Sequence, residues 1–214
     1  MKFVKDWDIV KKESILDKIG ERIHNRPPLK ERLSNSIYRI KVIQSKLEQF
    51  SNRLESKNRE LFEHCTTAIS EADEGRAAIY ANECAEVRKI AKVVLRSQLA
   101  LEQVGLRLET IREFGDVAAE MSPLTHVIQS LKGHLAGIIP EVSYELGVIG
   151  DTLNGLVVEA GEATGSGFDF EASSSEAQKI LHDANVVAEQ RMKDHFPALP
   201  VPGGATSEST PESR

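Results

Sequence analysis

The residues of this chain with the chemistry to bind a metal are His64, Cys65 and Cys84. Imidazole and thiolate are zinc ligands, and three of them suffice for an open site. The alternative is that small thiols on helices are simply packed. His126 and His134 are eight residues apart, two helical turns, with no carboxylate at matching spacing to make an acid/base pair. The run Gly161-Glu-Ala-Thr-Gly-Ser-Gly167 is glycine-rich, but a helical pattern precedes it where a phosphate-binding loop needs a strand. No G-x-S-x-G, CxxC or H-E-x-x-H occurs. No set of groups converges as an acid/base or nucleophile constellation, so the chain is expected to be no enzyme and to need no cofactor or metal.

The elements that would hold such residues are helical. Leu33, Ile40, Leu47, Leu54 and Leu61 recur every seven residues, as do Tyr80, Val87, Val94, Leu101 and Leu108. The two series mirror each other about position 74, setting Ile40 against Leu108, Leu47 against Leu101, Leu54 against Val94 and Leu61 against Val87. The same mirror brings His64 to Cys84. Apolar residues at this spacing form one seam of a helix. The fold class expected is therefore all-α, a long antiparallel hairpin over 29–120. Its first helix spans about 29–69 and its second 76–119, and Gly75 takes the left-handed conformation at the tip. Gly105 and Gly115 are hinges or close-packing points. Ser122-Pro123 opens a short helix over 123–139, and Pro140 opens another over 141–160. Together 29–160 form the helical core. Residues 161–175 read as an acidic flexible linker, 176–202 as a C-terminal helix with a proline-rich extension, and 203–214 as a disordered tail.

Charge is distributed unevenly. Residues 1–53 hold thirteen Lys/Arg against seven Asp/Glu, a net of +6, and the rest holds fourteen against twenty-six, a net of −12. From 133 to 178 there is no Lys or Arg and there are eight carboxylates. Such a pattern suits a basic end for an anionic surface and an acidic end that competes for it, or else ordinary solvated helix faces. The basic segment 1–28 is amphipathic. It either lies in a membrane interface, with Phe3 and Trp7 as anchors and Lys2, Lys5, Lys11 and Lys12 among headgroups, or packs on the hairpin, or stays disordered. Lys30, Arg32, Arg39, Lys41, Lys46 and Arg53 extend the basic face along the first helix. No apolar run approaches the roughly 18–20 residues of a membrane span, and the N-terminus lacks the pattern of a secretory signal. A cytoplasmic protein is expected, with both cysteines as thiols.

In the C-terminal helix Ile180, Leu181, Ala184, Val187, Ala188, Met192 and Phe196 share a face, joined by Arg191 near its end. A tethered amphipathic helix is a ligand for a partner's groove, or folds back on its own core, or alternates between them. Pro197, Leu199, Pro200, Val201 and Pro202 give the extension apolar teeth suited to a groove.

The order of parts resembles the ESCRT-III family. The segment Leu101-Glu-Gln-Val-Gly-Leu-Arg-Leu-Glu-Thr-Ile-Arg-Glu-Phe-Gly115, followed by Met121-Ser-Pro-Leu124 and the Leu-rich stretch to Leu156, is similar to its archaeal cell-division branch. The resemblance covers roughly 29–200. It implies a non-enzymatic subunit that polymerises with itself and with other ESCRT-III subunits into curved filaments. These form on the anionic inner face of the membrane at the division site, for constriction and scission. It implies further an AAA ATPase with MIT domains that grips the C-terminal helix and proline segment to disassemble the polymer, and no nucleic-acid partner. The alternative is a coiled-coil adaptor or membrane-surface coat protein that dimerises without forming filaments.

Overall fold

The computed structural model describes residues 27–114, 117–164, 170–196 and 198. Five helices account for nearly all of them: α1 Leu29–Ser70, α2 Glu74–Phe114, α3 Val117–Leu135, α4 Pro140–Thr164 and α5 Phe170–His195. Among the described residues there is no strand. The protein is all-α. α1 and α2 form the long antiparallel hairpin, and α3 and α4 form a second, shorter one. The second hairpin lies against the first, α4 on α1 and α3 on α2, while α5 runs over α2 and α3.

α1 has 42 residues, a rod of about 63 Å. Proline at 28 has φ −50° and ψ 147°, an extended residue that starts the helix, and Glu31 in the first turn favours the helix dipole. Burial follows the apolar seam. Leu33, Ile40, Leu47, Leu61, Val94, Leu101 and Leu108 are buried, whereas Leu54, Tyr80 and Val87 are half-buried. Leu33 to Leu47 and Val94 to Leu108 share one continuous core with Met121, Leu124, Ile128, Leu146 and Leu153 of the second hairpin. The half-buried seam residues lie in the outer part of the hairpin, towards the tip.

The tip differs from the sequence expectation. α1 continues to Ser70, so the left-handed residue is Ala72, at φ 56°, and not Gly75. The Asp73 N–H donates to the Ala68 carbonyl at 2.9 Å and the Ala72 N–H to Ile69 at 3.0 Å, the double bond pattern of a Schellman cap. Asp73 then caps α2, its Oδ1 accepting the Arg76 N–H at 3.0 Å. Gly75 is already inside α2. With only residues 71–73 in the turn, the mirror near the tip centres on 71. Cys65 Sγ reaches the Ala77 carbonyl at 3.5 Å, and Cys84 Sγ reaches that of Asn58 at 3.8 Å. His64 stacks on Tyr80 at 5.2 Å between ring centroids, not beside Cys84. The expected approach of His64 to Cys84 is thereby corrected.

α3 starts at Val117, earlier than Ser122-Pro123 suggested, and holds Pro123 inside it. Proline there removes one backbone hydrogen bond, and this cost is offset by the burial of Met121, Leu124, Val127 and Ile128. α3 ends at Leu135, whose carbonyl accepts the N–H groups of Ile138 and Ile139. Helix α4 continues to Thr164 and α5 begins at Phe170, so helix occupies much of the expected 161–175 linker. Gly105 is a close-packing point, buried against Ile40 and Gln44; Gly115 lies outside the described residues.

Ala72→Gly should raise stability by about 1 kcal/mol, because it relieves a left-handed alanine. Gly75→Ala should add about 0.5–1 kcal/mol, since its new Cβ meets only Asp73 Oδ1, at 3.6 Å. Leu47→Ala, in the fully buried seam, should cost about 2–5 kcal/mol. Urea unfolding followed by circular dichroism measures all three.

Candidate functional site

The seam of α1 faces α2 and the second hairpin, which leaves its cations on the flanks. α4 runs antiparallel along one flank and carries carboxylates at matching places. Arg32 Nη1 lies 2.6 Å from Glu159 Oε2. Lys46 Nζ lies 2.8 Å from both Glu141 and Glu145. Those two glutamates are one helical turn apart, so they converge on a single ammonium. Lys41 pairs with Glu109 of α2 at 2.6 Å. The Arg53 guanidinium lies 5.3 Å from the ring centroid of Phe50. Lys30 and Arg39 are exposed and form no ion pair among the described residues. Lys2, Phe3, Lys5, Trp7, Lys11 and Lys12 lie outside the described residues.

A second acidic contact comes from α5. Glu176 pairs with Arg107, and Glu189 with Lys92 at 2.9 Å. The apolar face of α5 is turned inward. Ile180, Ala184 and Ala188 are buried, Leu181 and Met192 half-buried, Val187 and Arg191 exposed. Phe196 is 8% exposed, its ring centroid 5.7 Å from the Arg88 guanidinium. Arg88 Nε donates to Asn58 Oδ1 at 2.8 Å, and its Nη2 is buried with no hydrogen-bond partner. Burial pushes the Arg88 guanidinium below its ordinary value and the neighbouring Cys84 thiol above its own. His195 Nδ1 lies 3.5 Å from Glu55. Pro197, Leu199, Pro200, Val201 and Pro202 lie outside the described residues.

The groups that could do chemistry do not converge. Among the described residues no three His, Cys, Asp or Glu side chains gather to hold a metal. Both cysteines are buried thiols, facing carbonyls a heptad apart along the rod. His134 is held below its ordinary value, first by desolvation and then by the charge of Arg96. The geometry brings together complementary charge and an inward-turned apolar helix, which is the equipment for switching between internal and external partners. Sequence patterns located the cations and the acidic region. They missed Arg88 and Asn58, whose one signal is that Asn58 occupies a polar place between Leu54 and Leu61 in the seam.

The architecture defines the class first: an all-helical protein built on a basic hairpin, with an acidic helix and an amphipathic helix folded onto it. Comparison supplies the family. The chain is 46% identical to cell division protein B1 of Sulfolobus acidocaldarius over 179 residues, 84% of each chain. It is 30% identical to cell division protein B of the same organism, over 88% of this chain and 74% of that one. With cell division protein B3 it shares 25%, over 73% of this chain and 90% of that one. No protein-family model and no solved structure matches. The chain belongs to the cell division protein B family, the archaeal cell-division branch of ESCRT-III.

Closure depends on pH in a direction set by these pairs. Glu141 is held below the ordinary 4.5 by Lys46, Glu189 by Lys92 and then Asn185, and Glu109 by Lys41. A carboxylate lowered in the folded state stabilises it above the ordinary value, and that contribution is lost as pH falls through the lowered one. Lys46 is raised above 10.5 by Glu141 and Glu145, so its contribution is present below 10.5 and lost as pH rises through the higher value. In thermal melts between about pH 7 and pH 3, the Tm should fall below the ordinary carboxylate value of 4.5. Glu141→Gln/Glu145→Gln should show a smaller fall; an identical profile would show that these pairs do not hold α4.

Proposed function

We propose that this protein is a non-enzymatic ESCRT-III-type subunit that assembles on an anionic membrane during cell division. It uses no cofactor or metal and binds no nucleic acid. The described state is the closed subunit, in which α4 and α5 occupy the faces used for assembly and partner binding. The observation that carries this reading is the clamping of Lys46 by Glu141 and Glu145 beside the Arg32–Glu159 pair. Cations poised for a negatively charged surface are held by carboxylates of the same chain. A lipid surface competes for them on equal chemical terms.

Each basic residue close to an anionic membrane contributes about 1 kcal/mol, so one subunit binds weakly and reversibly. A filament multiplies the contacts and gains by avidity. Opening releases Arg32, Lys46, Lys92 and Arg107 at once, which couples lipid contact to exposure of the surfaces under α4 and α5. Lys30 and Arg39, exposed in the closed state, make the first contact. The membrane-facing set is Lys2, Phe3, Lys5, Trp7, Lys11 and Lys12 with the cations of α1. Relatives named cell division proteins B, B1 and B3 occur in one organism, which supports mixed polymers of several such subunits as well as polymers of this one. The polymer acts from the cytoplasm on the inner face of the membrane at the division site, where it drives constriction and scission. Among the described residues no helix is long and apolar enough to cross a membrane, so attachment is by surface contact.

α5 and the proline segment are the handle for a MIT-domain AAA ATPase. Ile180, Ala184 and Ala188 point into the bundle, so the ATPase reads them only in the open subunit. Disassembly is thereby directed at assembled chains.

Truncation after Ala160 removes α5 and frees Lys92 and Arg107. The truncated protein should pellet with anionic vesicles and form arcs or spirals under electron microscopy at concentrations where the full chain stays in the supernatant. Discrete rods that neither pellet nor lengthen would favour a dimeric adaptor over a filament subunit.

A further inference from the structure

At the open end of the main hairpin lies an apolar mouth that no helix covers. It is a cavity of about 150 Å³ lined by Leu29, Lys30, Leu33, Ile111, Arg112 and Leu156. One turn beyond Ile111, Phe114 is 89% exposed, the most exposed large apolar side chain among the described residues. The opposite end of the rod closes in a capped turn; this end presents leucine, isoleucine and phenylalanine side by side.

We infer that the chain's own segment 15–23 seats on this mouth in the closed subunit, through Ile15, Leu16, Ile19 and Ile23. Three observations select that occupant. The first is connection. Twenty-six residues precede Pro27, and they join the bundle at the cavity itself, since Leu29 lines it. The six residues from Ile23 to Leu29 span at most about 20 Å, so the segment stays within reach of Leu33, Ile111 and Phe114. The second is direction. Pro28, with ψ 147°, breaks the helical path, so the preceding chain does not continue the axis of α1 away from the bundle. The third is pattern. Leu16, Ile19 and Ile23 fall on one face at helical spacing, with Ile15 at its edge and Glu13, Asp17 and Glu21 on the opposite side. One apolar face and one acidic face suit a seat on protein, the apolar side down and the acidic side towards water.

The seat gives the N-terminal segment two competing places, the open end of its own hairpin and a lipid interface. The consequence for lipid rests on the membrane reading above; the docking itself does not, and it is measured without lipid. Docked residues 15–23 hold Phe3 and Trp7 near the end of the rod, where Lys30 and Arg39 make their first contact with a surface.

Hydrogen exchange on the full chain, free of lipid, tests the inference. Backbone amides of 15–24 should exchange at least about tenfold more slowly than unstructured peptide. Leu29→Asp and, separately, Phe114→Ser should each return them to the unstructured rate, while α1 and α2 keep their protection. Phe114 is exposed enough that its loss leaves the core intact. Three results would overturn the inference. One is exchange of 15–24 at the unstructured rate in the unaltered chain. Another is protection that survives both substitutions. The third is protection of Leu29, Leu33 and Ile111 that rises with protein concentration and persists without residues 1–24, which would assign the mouth to a second copy.

Discussion

One ammonium held between two carboxylates, Lys46 between Glu141 and Glu145, ties the second hairpin to the basic flank of the first. Its strength is bounded by exposure. Water and salt screen pairs at the surface, and neither side chain is anchored elsewhere. Closure therefore relies on burial as well. The apolar face of α4 merges into the shared core through Leu146, Ile149, Leu153 and Leu156. α5 contributes much less, mainly Ile180, Phe196 and two alanines. Burying an isoleucine or phenylalanine is worth about 1.5–3 kcal/mol before the entropy of ordering the helix is subtracted. α5 is thus the part of the cover most easily lifted, and α4 the part whose release depends on competition for charge.

The hairpin supplies the rigidity that makes this competition useful. Its seam is fully buried from Leu33 to Leu47 and from Val94 to Leu108, where the second hairpin lies against it. Towards the tip two helices stand without further cover, and Leu54, Tyr80 and Val87 are only half-buried. Within this outer part α5 makes its last contacts, Phe196 on Arg88 and His195 near Glu55. A guanidinium with one buried, unsatisfied nitrogen is a costly group to cover. The contact therefore fastens the end of α5 without locking it.

How far the sequence could be read depended on the range of each interaction. A seam repeating every seven residues over two long segments leaves little choice but a hairpin, and the all-α class followed from it. The same repeat tolerates a shift of a few residues, so the register near the tip was decided by the three-residue turn and its Schellman bonds, not by the leucines. Ser122-Pro123 is equally a helix start and a second turn; the burial of Met121 and Leu124 selects the latter. Basic positions such as Arg32 and Lys46 were legible as a face, and the acidic region as its counterweight. Which glutamate meets which cation was not, because it depends on how α4 lies along α1. Arg88 with Phe196 joins residues from opposite parts of the chain, and nothing local to either announces it.

The central claim is that α4 shields the basic flank of α1 in the free subunit and gives way to a negatively charged membrane. Spin labels at the exposed positions Ser45 and Asp151, in a chain with Cys65 and Cys84 replaced by alanine, measure the separation of α1 and α4 directly. A single short distance in solution that gives way to a longer or broad distribution on anionic vesicles, but not on neutral ones, is the result expected. A distance unchanged on anionic vesicles that carry bound protein would contradict the account.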